Sequence, residues 1–187
     1  MKSLTLKNLN MQENKIFFSK TREVKLPTRG TSESAGIDFF IPEFTQEFID
    51  DIVSKNKDIM NSMPMTYELD KVIGIVLGPG ERINIPSGIK VKMGKDRALI
   101  AHTKSGVGSK LGISFLASVV DQDYQGEIHL NVYNTSNENI VTLTPNMKLI
   151  QFLEIPIYLS DIIEVPENEL YTEKTQRGEG GFGHTGN

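Results

Sequence analysis

Short apolar runs separated by turn residues make up most of the chain. Between residues 127 and 133 the alternation is strict, because Ile128, Leu130 and Val132 face one way and polar residues face the other. Turns such as Gly78-Pro79-Gly80 separate runs rich in β-branched residues, which is typical of strands. The pattern predicts an all-β barrel or jelly-roll-like sandwich, with strands at residues 16–19, 35–41, 72–77, 82–85, 89–93, 98–103, 113–120, 127–133, 140–143 and 148–159.

One segment departs from this pattern and has helical spacing. Between Pro42 and Met60, apolar residues recur three or four positions apart, while charged residues such as Asp50 and Asp51 occupy other positions. We expect a surface helix inserted between two strands. No internal repeat is evident, and residues 1–187 are expected to form a single domain.

Composition narrows the kinds of site the chain can hold. It has no cysteine, which excludes disulfides and thiolate metal sites, and its three histidines argue against a histidine zinc site. Any metal should therefore be a hard cation held by oxygen, and Mg2+ is the natural choice beside phosphates. A formal net charge of −4 argues against direct nucleic-acid binding, which normally uses a basic stripe.

The mean hydropathy of −0.25 predicts a soluble globular protein. Residues 1–14 are polar and mixed in charge, so we expect neither a signal peptide nor a membrane span there. These features predict a cytoplasmic protein without membrane attachment.

The segment from Arg177 to Gly186 contains five glycines and cannot build a core. Glycine lets backbone N–H groups approach phosphate oxygens, Arg177 offers a bidentate fork, and Phe182 offers an apolar face for a planar base. The segment is suited to closing over a small phosphorylated ligand. A disordered glycine-rich tail is the alternative.

The segment from Val119 to Glu127 places two carboxylates and Tyr124 on a tight connection between apolar strands. Side chains at such a turn can reach a pocket. A hairpin turn with solvated acids is the alternative, although Tyr124 is an unusual turn residue unless its ring covers something.

Three weaker signals lie elsewhere. Thr103 to Gly108 supplies an ammonium, a hydroxyl and unhindered backbone donors for oxyanions, or is a flexible loop. Asp38 lies in an apolar strand and implies either a structural salt bridge or a metal-associated role. Gln151 is either a functional amide or a satisfied core glutamine.

In order and character, these five segments resemble the five motifs of the trimeric dUTPase family. The matching residues are Ala35-Gly36-x-Asp38, Lys104-Ser105-Gly106, Asp121-x-Asp123-Tyr124-x-Gly126-Glu127, Gln151, and Arg177-Gly178-x-Gly180-Gly181-Phe182-Gly183-x-Thr185-Gly186.

The resemblance implies hydrolysis of dUTP to dUMP and pyrophosphate with Mg2+ on the triphosphate, which limits uracil incorporation into DNA and supplies dUMP. Asp121 would be the general base that takes a proton from the attacking water, since an aspartate is ionised at neutral pH. Gln151 would help hold the phosphate side of the site, and Asp38 would act through the water shell of the metal.

The resemblance also assigns substrate contacts. The ring of Tyr124 would pack on the deoxyribose and exclude a 2′-hydroxyl. Backbone groups near Ser118 to Val120 and at His129 would read uracil, with Phe182 stacked over the base. The full set of expected substrate-binding residues is Lys104, Ser105, Gly106, Ser118, Val119, Val120, Tyr124, His129, Arg177, Phe182, Gly183, His184 and Thr185, of which Lys104, Ser105, Gly106, Arg177 and Thr185 would grip phosphates.

The implied fold is a distorted jelly-roll β-barrel with a helical insertion at about residues 44–71 and a flexible glycine-rich arm at about residues 160–187. The implied assembly is a homotrimer whose arms reach across to complete shared active sites. Four positions depart from the usual family pattern: Lys104 and Lys148 replace arginines, His184 replaces a serine, and Ser118 replaces a glycine.

The insertion is not explained by the resemblance. It is either a loop that covers apolar surface or a docking surface for a partner protein. Two other functions stay open: a dUTP-binding regulator that uses the insertion to contact a partner, and an enzyme related to the dCTP deaminases.

Overall fold

The computed structural model describes residues 15–57 and 64–180. Within those residues the chain forms thirteen strands and three helices, so the prediction of an all-β fold is confirmed. The strands are β1 (Phe17–Lys20), β2 (Thr28–Arg29), β3 (Ile37–Phe40), β4 (Met65–Glu68), β5 (Lys71–Leu77), β6 (Arg82–Pro86), β7 (Ile89–Lys92), β8 (Arg97–Thr103), β9 (Ile113–Phe115), β10 (Val119–Val120), β11 (His129–Asn134), β12 (Val141–Leu143) and β13 (Lys148–Pro156), and the helices are α1 (Gln46–Lys55), α2 (Ser105–Leu111) and α3 (Glu167–Leu170).

By contact pattern the chain divides into two units, residues 1–157 and residues 158–187. The described strands of the first unit form sheets in the orders β1-β7, β10-β8-β13-β3-β2, β6-β11-β9 and β12-β5-β4. Every pairing is antiparallel, which lets one face of each sheet meet the core while the other meets polar surroundings.

The largest of these sheets is centred on β13, which pairs with β8 along seven positions and with β3 on its other side. The register places Gln151 opposite Asp38 on one strand and opposite His102 on the other, so these three side chains share a face. Phe152 faces the opposite way into the core, where its ring lies 4.7 Å from that of Phe39. One strand therefore serves both the core and a polar cluster.

The alternation predicted at residues 127–133 is present in the structure. Ile128, Leu130 and Val132 are buried, and His129 and Asn131 on the other face are half-buried. Burial of such aliphatic side chains, at about 25 cal/mol per Å² of apolar surface, is the main stabilising term of the fold.

The inserted segment contains a helix and half of a hairpin. Thr45 caps α1 by accepting a hydrogen bond from the Phe48 amide at 3.2 Å, and Phe48, Ile49 and Ile52 are buried in the core. The hairpin β4–β5 turns at Leu69 and Asp70, both with positive φ, 47° and 64°. Sequence patterning predicted the helix at 42–60 but missed β4.

Three predicted elements differ in detail. The run at 113–120 is divided into β9 and β10, which belong to two different sheets, and residues 116–118 connect them. The run at 148–159 ends as a strand at Pro156. The segment after Thr103 is the short helix α2 rather than a flexible loop, and it ends at Gly112 with a left-handed φ of 65°.

The second unit is described here from residue 158 to residue 180. Its regular structure in that range is α3, and its large apolar side chains, including Tyr158, Ile162, Ile163 and Tyr171, are exposed. Among the described helices, none combines the length and the apolar character needed to cross a bilayer.

Candidate active site

A cleft of about 170 Å³ lies beside the connection from β10 to β11. Asp121 follows β10 directly, and β10 is held at the sheet edge by pairing with Leu99 and Ile100 of β8. The backbone carbonyl of Ser118 accepts a hydrogen bond from Ala101 N–H at 2.7 Å. The cleft is lined by Ala117, Ser118, Val119, Val120, Asp121, Tyr124, Ile128, His129 and Phe152.

The turn that carries Asp121 and Tyr124 is tightly closed. The Tyr124 amide donates to the Asp121 carbonyl at 3.2 Å, and the Tyr124 hydroxyl donates to the Glu127 carbonyl at 2.9 Å. A Cβ at Gly126 would lie 2.3 Å from that hydroxyl oxygen, so only glycine lets the ring fold back over the chain. Tyr124 is 46% exposed and lines the cleft, so its place in this turn puts an aromatic ring at the wall of the cleft.

His129 lies at the start of β11 and lines the same cleft. Its Nδ1 lies 3.2 Å from Oδ1 of Asn84, and because an amide oxygen only accepts, the Nδ1 proton is the donor. Burial lowers the pKa of the imidazole below its ordinary value, so His129 is neutral at neutral pH.

A second polar cluster is centred on Asp38 of β3, which is 4% exposed. Lys104 and Lys148 both form ion pairs with its carboxylate, Lys148 with Nζ at 3.1 Å from Oδ2. Burial alone would raise the pKa of Asp38, but the hydrogen bonds and charges of the two lysines outweigh it and the pKa is lowered. The structure thus gives Asp38 the salt-bridge arrangement that its sequence context allowed.

Gln151 belongs to this cluster by register and by contact. Its Nε2 donates to the Thr103 carbonyl at 3.2 Å. A Cβ on Gly36 would lie 2.1 Å from Gln151 Oε1, so glycine at position 36 is a steric requirement for this placement of the amide. Arg29 holds the preceding loop by donating to the Ala35 carbonyl at 2.6 Å, a contact that sequence patterning did not signal.

The second-motif residues surround the start of α2. Lys104 is the extended residue that precedes the helix, and Ser105 and Gly106 form its first turn. An added Cβ on Gly106 would meet no atom within 4 Å, so this backbone is open to approach. The residues therefore combine a lysine already paired with Asp38 and an accessible backbone.

Within the second unit, Arg177 stands in a turn. Its Nε donates to the Gly180 carbonyl at 2.8 Å, and Gly178 adopts a positive φ of 52°. Gly180 N–H donates back to the Arg177 carbonyl at 3.1 Å. The other predicted arm residues, Phe182, Gly183, His184 and Thr185, lie outside the described residues.

The predicted site residues thus fall into separate groups in the described chain. Asp38, Lys104 and Gln151 gather around β3 and β13, whereas Asp121 and Tyr124 lie in a cleft whose described lining includes none of those three. Sequence reasoning missed Ala117, Ile128 and Phe152 as lining residues, and only proximity to motif residues could have indicated them.

The sequence model of the dUTPase family matches residues 61–186. A deoxyuridine 5′-triphosphate nucleotidohydrolase of Fusobacterium nucleatum is 40% identical over 114 residues, which cover 60% of this chain and 75% of that protein. The enzyme of the same name from Escherichia coli O45:K1 is 30% identical over 169 residues, covering 88% of this chain and 89% of that protein.

The fold of the chain is similar to that of solved dUTPase structures. The dUTPase of Staphylococcus bacteriophage 80alpha with dUPNHPP matches with a TM-score of 0.69 at 18% identity, covering 93% of this chain and 99% of that one. A mutant dUTPase of phage phi11 of S. aureus, described with a structural Mg(II) ion, matches with a TM-score of 0.61 at 18% identity over 82% and 98%. The extent of the sequence match, together with the fold, leads to one conclusion. This chain belongs to the dUTPase family.

Proposed function

We propose that this protein hydrolyses dUTP to dUMP and pyrophosphate, and that the cleft beside Asp121 is where the base and sugar bind. The observation that carries the proposal is that cleft, in which a carboxylate, the ring of Tyr124 and strand backbone come together in a chain of this family. The cleft of about 170 Å³ is smaller than a typical small-molecule pocket, so in this proposal it holds only the base and sugar end of the substrate.

In this proposal Asp121 takes a proton from the water that attacks the triphosphate. Backbone groups near Ser118 to Val120 and at His129 would pair with uracil, and the Tyr124 ring would pack on the deoxyribose. Backbone recognition suits a base whose edge alternates acceptors and a donor, because strand N–H and C=O groups have fixed directions.

The phosphate side is assigned to the second polar cluster and the arm. Lys104, Ser105 and Gly106 would grip phosphate oxygens together with Gln151, and the positive charge of Lys104 would offset the charge that develops on the attacked phosphoryl group. Arg177, Phe182, Gly183, His184 and Thr185 would complete this grip from the arm.

Mg2+ fits this arrangement as an ion held mainly by the substrate. Among the described residues no group of three or more histidine, aspartate or glutamate side chains could hold a metal, so the chain offers no all-protein cage there. Asp38 has both carboxylate oxygens paired with lysines, so in this proposal it would act on the ion only through water. Bound Mg2+ would neutralise part of the triphosphate charge.

We further propose that the active protein is a homotrimer with shared sites. Two observations support this: the cleft and the phosphate cluster are separate within the described chain, and the arm exposes Tyr158, Ile162 and Ile163. Exposed apolar side chains so close in sequence are typical of a segment that another chain covers. Mixing Asp121→Asn subunits with chains that end at residue 157 should restore activity, whereas unrestored activity would contradict shared sites.

A protein partner at the insertion remains part of the proposal, with a narrower location. Helix α1 buries its apolar side in its own chain, and among the described residues of the insertion the β4–β5 turn exposes Tyr67 and the 91% exposed Leu69. A regulatory role would use that turn. Pull-down by wild type but not by Leu69→Ser, with a dUTP-dependent yield, would support it, and equal capture by both would contradict it.

The primary experiment is pyrophosphate release from dUTP, UTP, dTTP and dCTP by the purified full-length chain. Release from dUTP well above the other three is expected. Preferred turnover of dCTP with ammonia release, or no release from dUTP, would contradict the proposed function.

A further inference from the structure

Helix α1 of the insertion is joined to the cleft by two separate polar links. In the first, one nitrogen of Arg22, Nη2, donates to Asp51 of α1 at 2.9 Å and to Glu127 at 3.0 Å. The other carboxylate oxygen of Glu127 accepts from Gly88 N–H at 2.5 Å. Arg22 also stacks over the ring of Phe48, with its guanidinium carbon 4.9 Å from the ring centre.

This first link is sheltered. The side chains of Arg22, Asp51 and Glu127 are only 24%, 24% and 16% exposed, so the charges are less screened than at an open surface. Gly88 makes room for it, because a Cβ there would lie 2.8 Å from Cγ of Arg22. The arginine therefore spans from the helix to the end of the third motif.

The second link starts at Asn56, the capping residue that directly follows the last turn of α1. Asn56, which is buried, donates through Nδ2 to the Asn84 carbonyl at 2.9 Å and accepts the Asn84 amide proton through Oδ1 at 2.8 Å. Asn84 pairs with β11 on one side, and on its other side the Asn56 side chain forms the two backbone hydrogen bonds that a second strand would form. The side chain of Asn84 in turn accepts from Nδ1 of His129 at 3.2 Å.

The two links end on residues that flank Ile128. Glu127 and His129 flank Ile128, and the charge of Glu127 acts on the His129 imidazole, whereas the Ile128 side chain is buried in the core. Ile128 and His129 line the cleft, and Tyr124 donates to the Glu127 carbonyl. A shift of either side chain would therefore move backbone that forms the cleft wall.

We propose that Asp51 and Asn56 of α1 are positioning residues for base recognition, which act through Arg22 and Asn84 to hold the segment from Glu127 to His129 in its binding geometry. The inference rests on the proposed function, since it assigns base binding to that cleft. It gives the insertion a role within the chain itself: the helix braces the wall of the nucleotide site.

The test compares Asp51→Asn with Asp50→Asn. Both variants lose one helix carboxylate and one contact within α1, since Asp51 pairs with Lys55 and Asp50 accepts from Gln46, but only Asp51 also pairs with Arg22 among these contacts. A second pair compares Asn84→Ala, which keeps the backbone links to Asn56, with Asn131→Ala on the strand opposite. KM and kcat for dUTP, inhibition by dUMP and by pyrophosphate, and urea unfolding are measured for each.

In Asp51→Asn and Asn84→Ala we expect KM for dUTP to rise about three- to tenfold, in the range of couplings between residues of one network, with kcat within about twofold. Inhibition by dUMP should weaken in parallel, and inhibition by pyrophosphate should not change, because the phosphate cluster is separate. A purely stabilising role would lower the unfolding free energy and leave KM unchanged.

Equal KM values within each pair, or a fall in kcat alone, would overturn the positioning role. If Asp51→Asn does not fold, the Asn84 pair carries the comparison. Should the wild-type protein release no pyrophosphate from dUTP, the proposed function fails, and calorimetric binding of dUMP by the same variants still decides whether α1 positions the cleft.

Discussion

Replacing Asp38 with asparagine removes the carboxylate that Lys104 and Lys148 share in the sheet. The change keeps the shape of the side chain but leaves two ammonium groups without their common counterion. A hydrogen bond to a charged group contributes about 1.5–3 kcal/mol, which applies to the more sheltered Lys104. Lys148 is 45% exposed and adds at most about 1 kcal/mol. We therefore expect a loss of about 2–3 kcal/mol in unfolding free energy at neutral pH.

The pH dependence of this loss has a definite sign. Because the folded pKa of Asp38 lies below its ordinary value of 3.8, the stabilisation is fully present above that pH and is lost as the pH falls through the folded pKa. Urea unfolding of the wild type and Asp38→Asn should differ by a constant amount from about pH 7 to pH 5 and converge below about pH 3.8. Asp50→Asn is the matched control on a solvent-facing helix position.

Two results would refute this reasoning. A loss below about 0.5 kcal/mol in unfolding free energy at pH 7 would mean that the two lysines find other partners, or that their mutual repulsion does not destabilise the fold. A difference that grows at acid pH would mean that Asp38 is protonated more easily in the folded protein than in the unfolded chain.

The remaining predictions concern three single residues. Gly36→Ala should displace the Gln151 amide and lower kcat at least about tenfold. The control Gly30→Ala should retain activity, because its Cβ would meet only the Ser34 hydroxyl, at 3.4 Å. Equal kcat values for the two variants would contradict the steric argument. Burial lowers the folded pKa of His129 below its ordinary 6.5, so the unfolding free energy of the wild type should fall as the pH drops below about 6.5. The unfolding free energy of His129→Asn should fall less over the same range. Parallel stability curves for the two proteins would count against the burial of His129. Tyr124→Ala should raise kcat/KM for UTP relative to dUTP if the ring excludes a 2′-hydroxyl, and an unchanged ratio would remove that role.

Strands with strict alternation were predictable from the sequence because their side-chain period is a property of the strand itself. The stretch from Ile128 to Val132 is the clearest case. The two-residue strand β10 and the strand β4 were not separable by pattern, since each is defined by its partner strand rather than by its own residues. Helix α2 was missed because two glycines within seven residues argue against a helix.

The candidate site was predicted in its residue types but not in its links. The roles given to Asp121, Gln151 and the arm residues came from the family resemblance. The position of Asp38 within an apolar strand could indicate only a salt bridge or a metal-associated role. Arg22 contacts Asp51, which is 29 residues away in the sequence, and Glu127, which is 105 residues away. No local pattern encodes such distances, so this network emerged only from the fold.

In the proposed mechanism Asp121, beside the cleft, activates water for attack on dUTP. The most direct test of that role is single-turnover hydrolysis of dUTP by Asp121→Asn beside Asp70→Asn, a control in which asparagine suits the left-handed backbone of the exposed β4–β5 turn. We expect Asp121→Asn to bind dUMP normally but to hydrolyse dUTP about a thousandfold more slowly, and Asp70→Asn to be unaffected. Near-normal hydrolysis by Asp121→Asn would contradict the account.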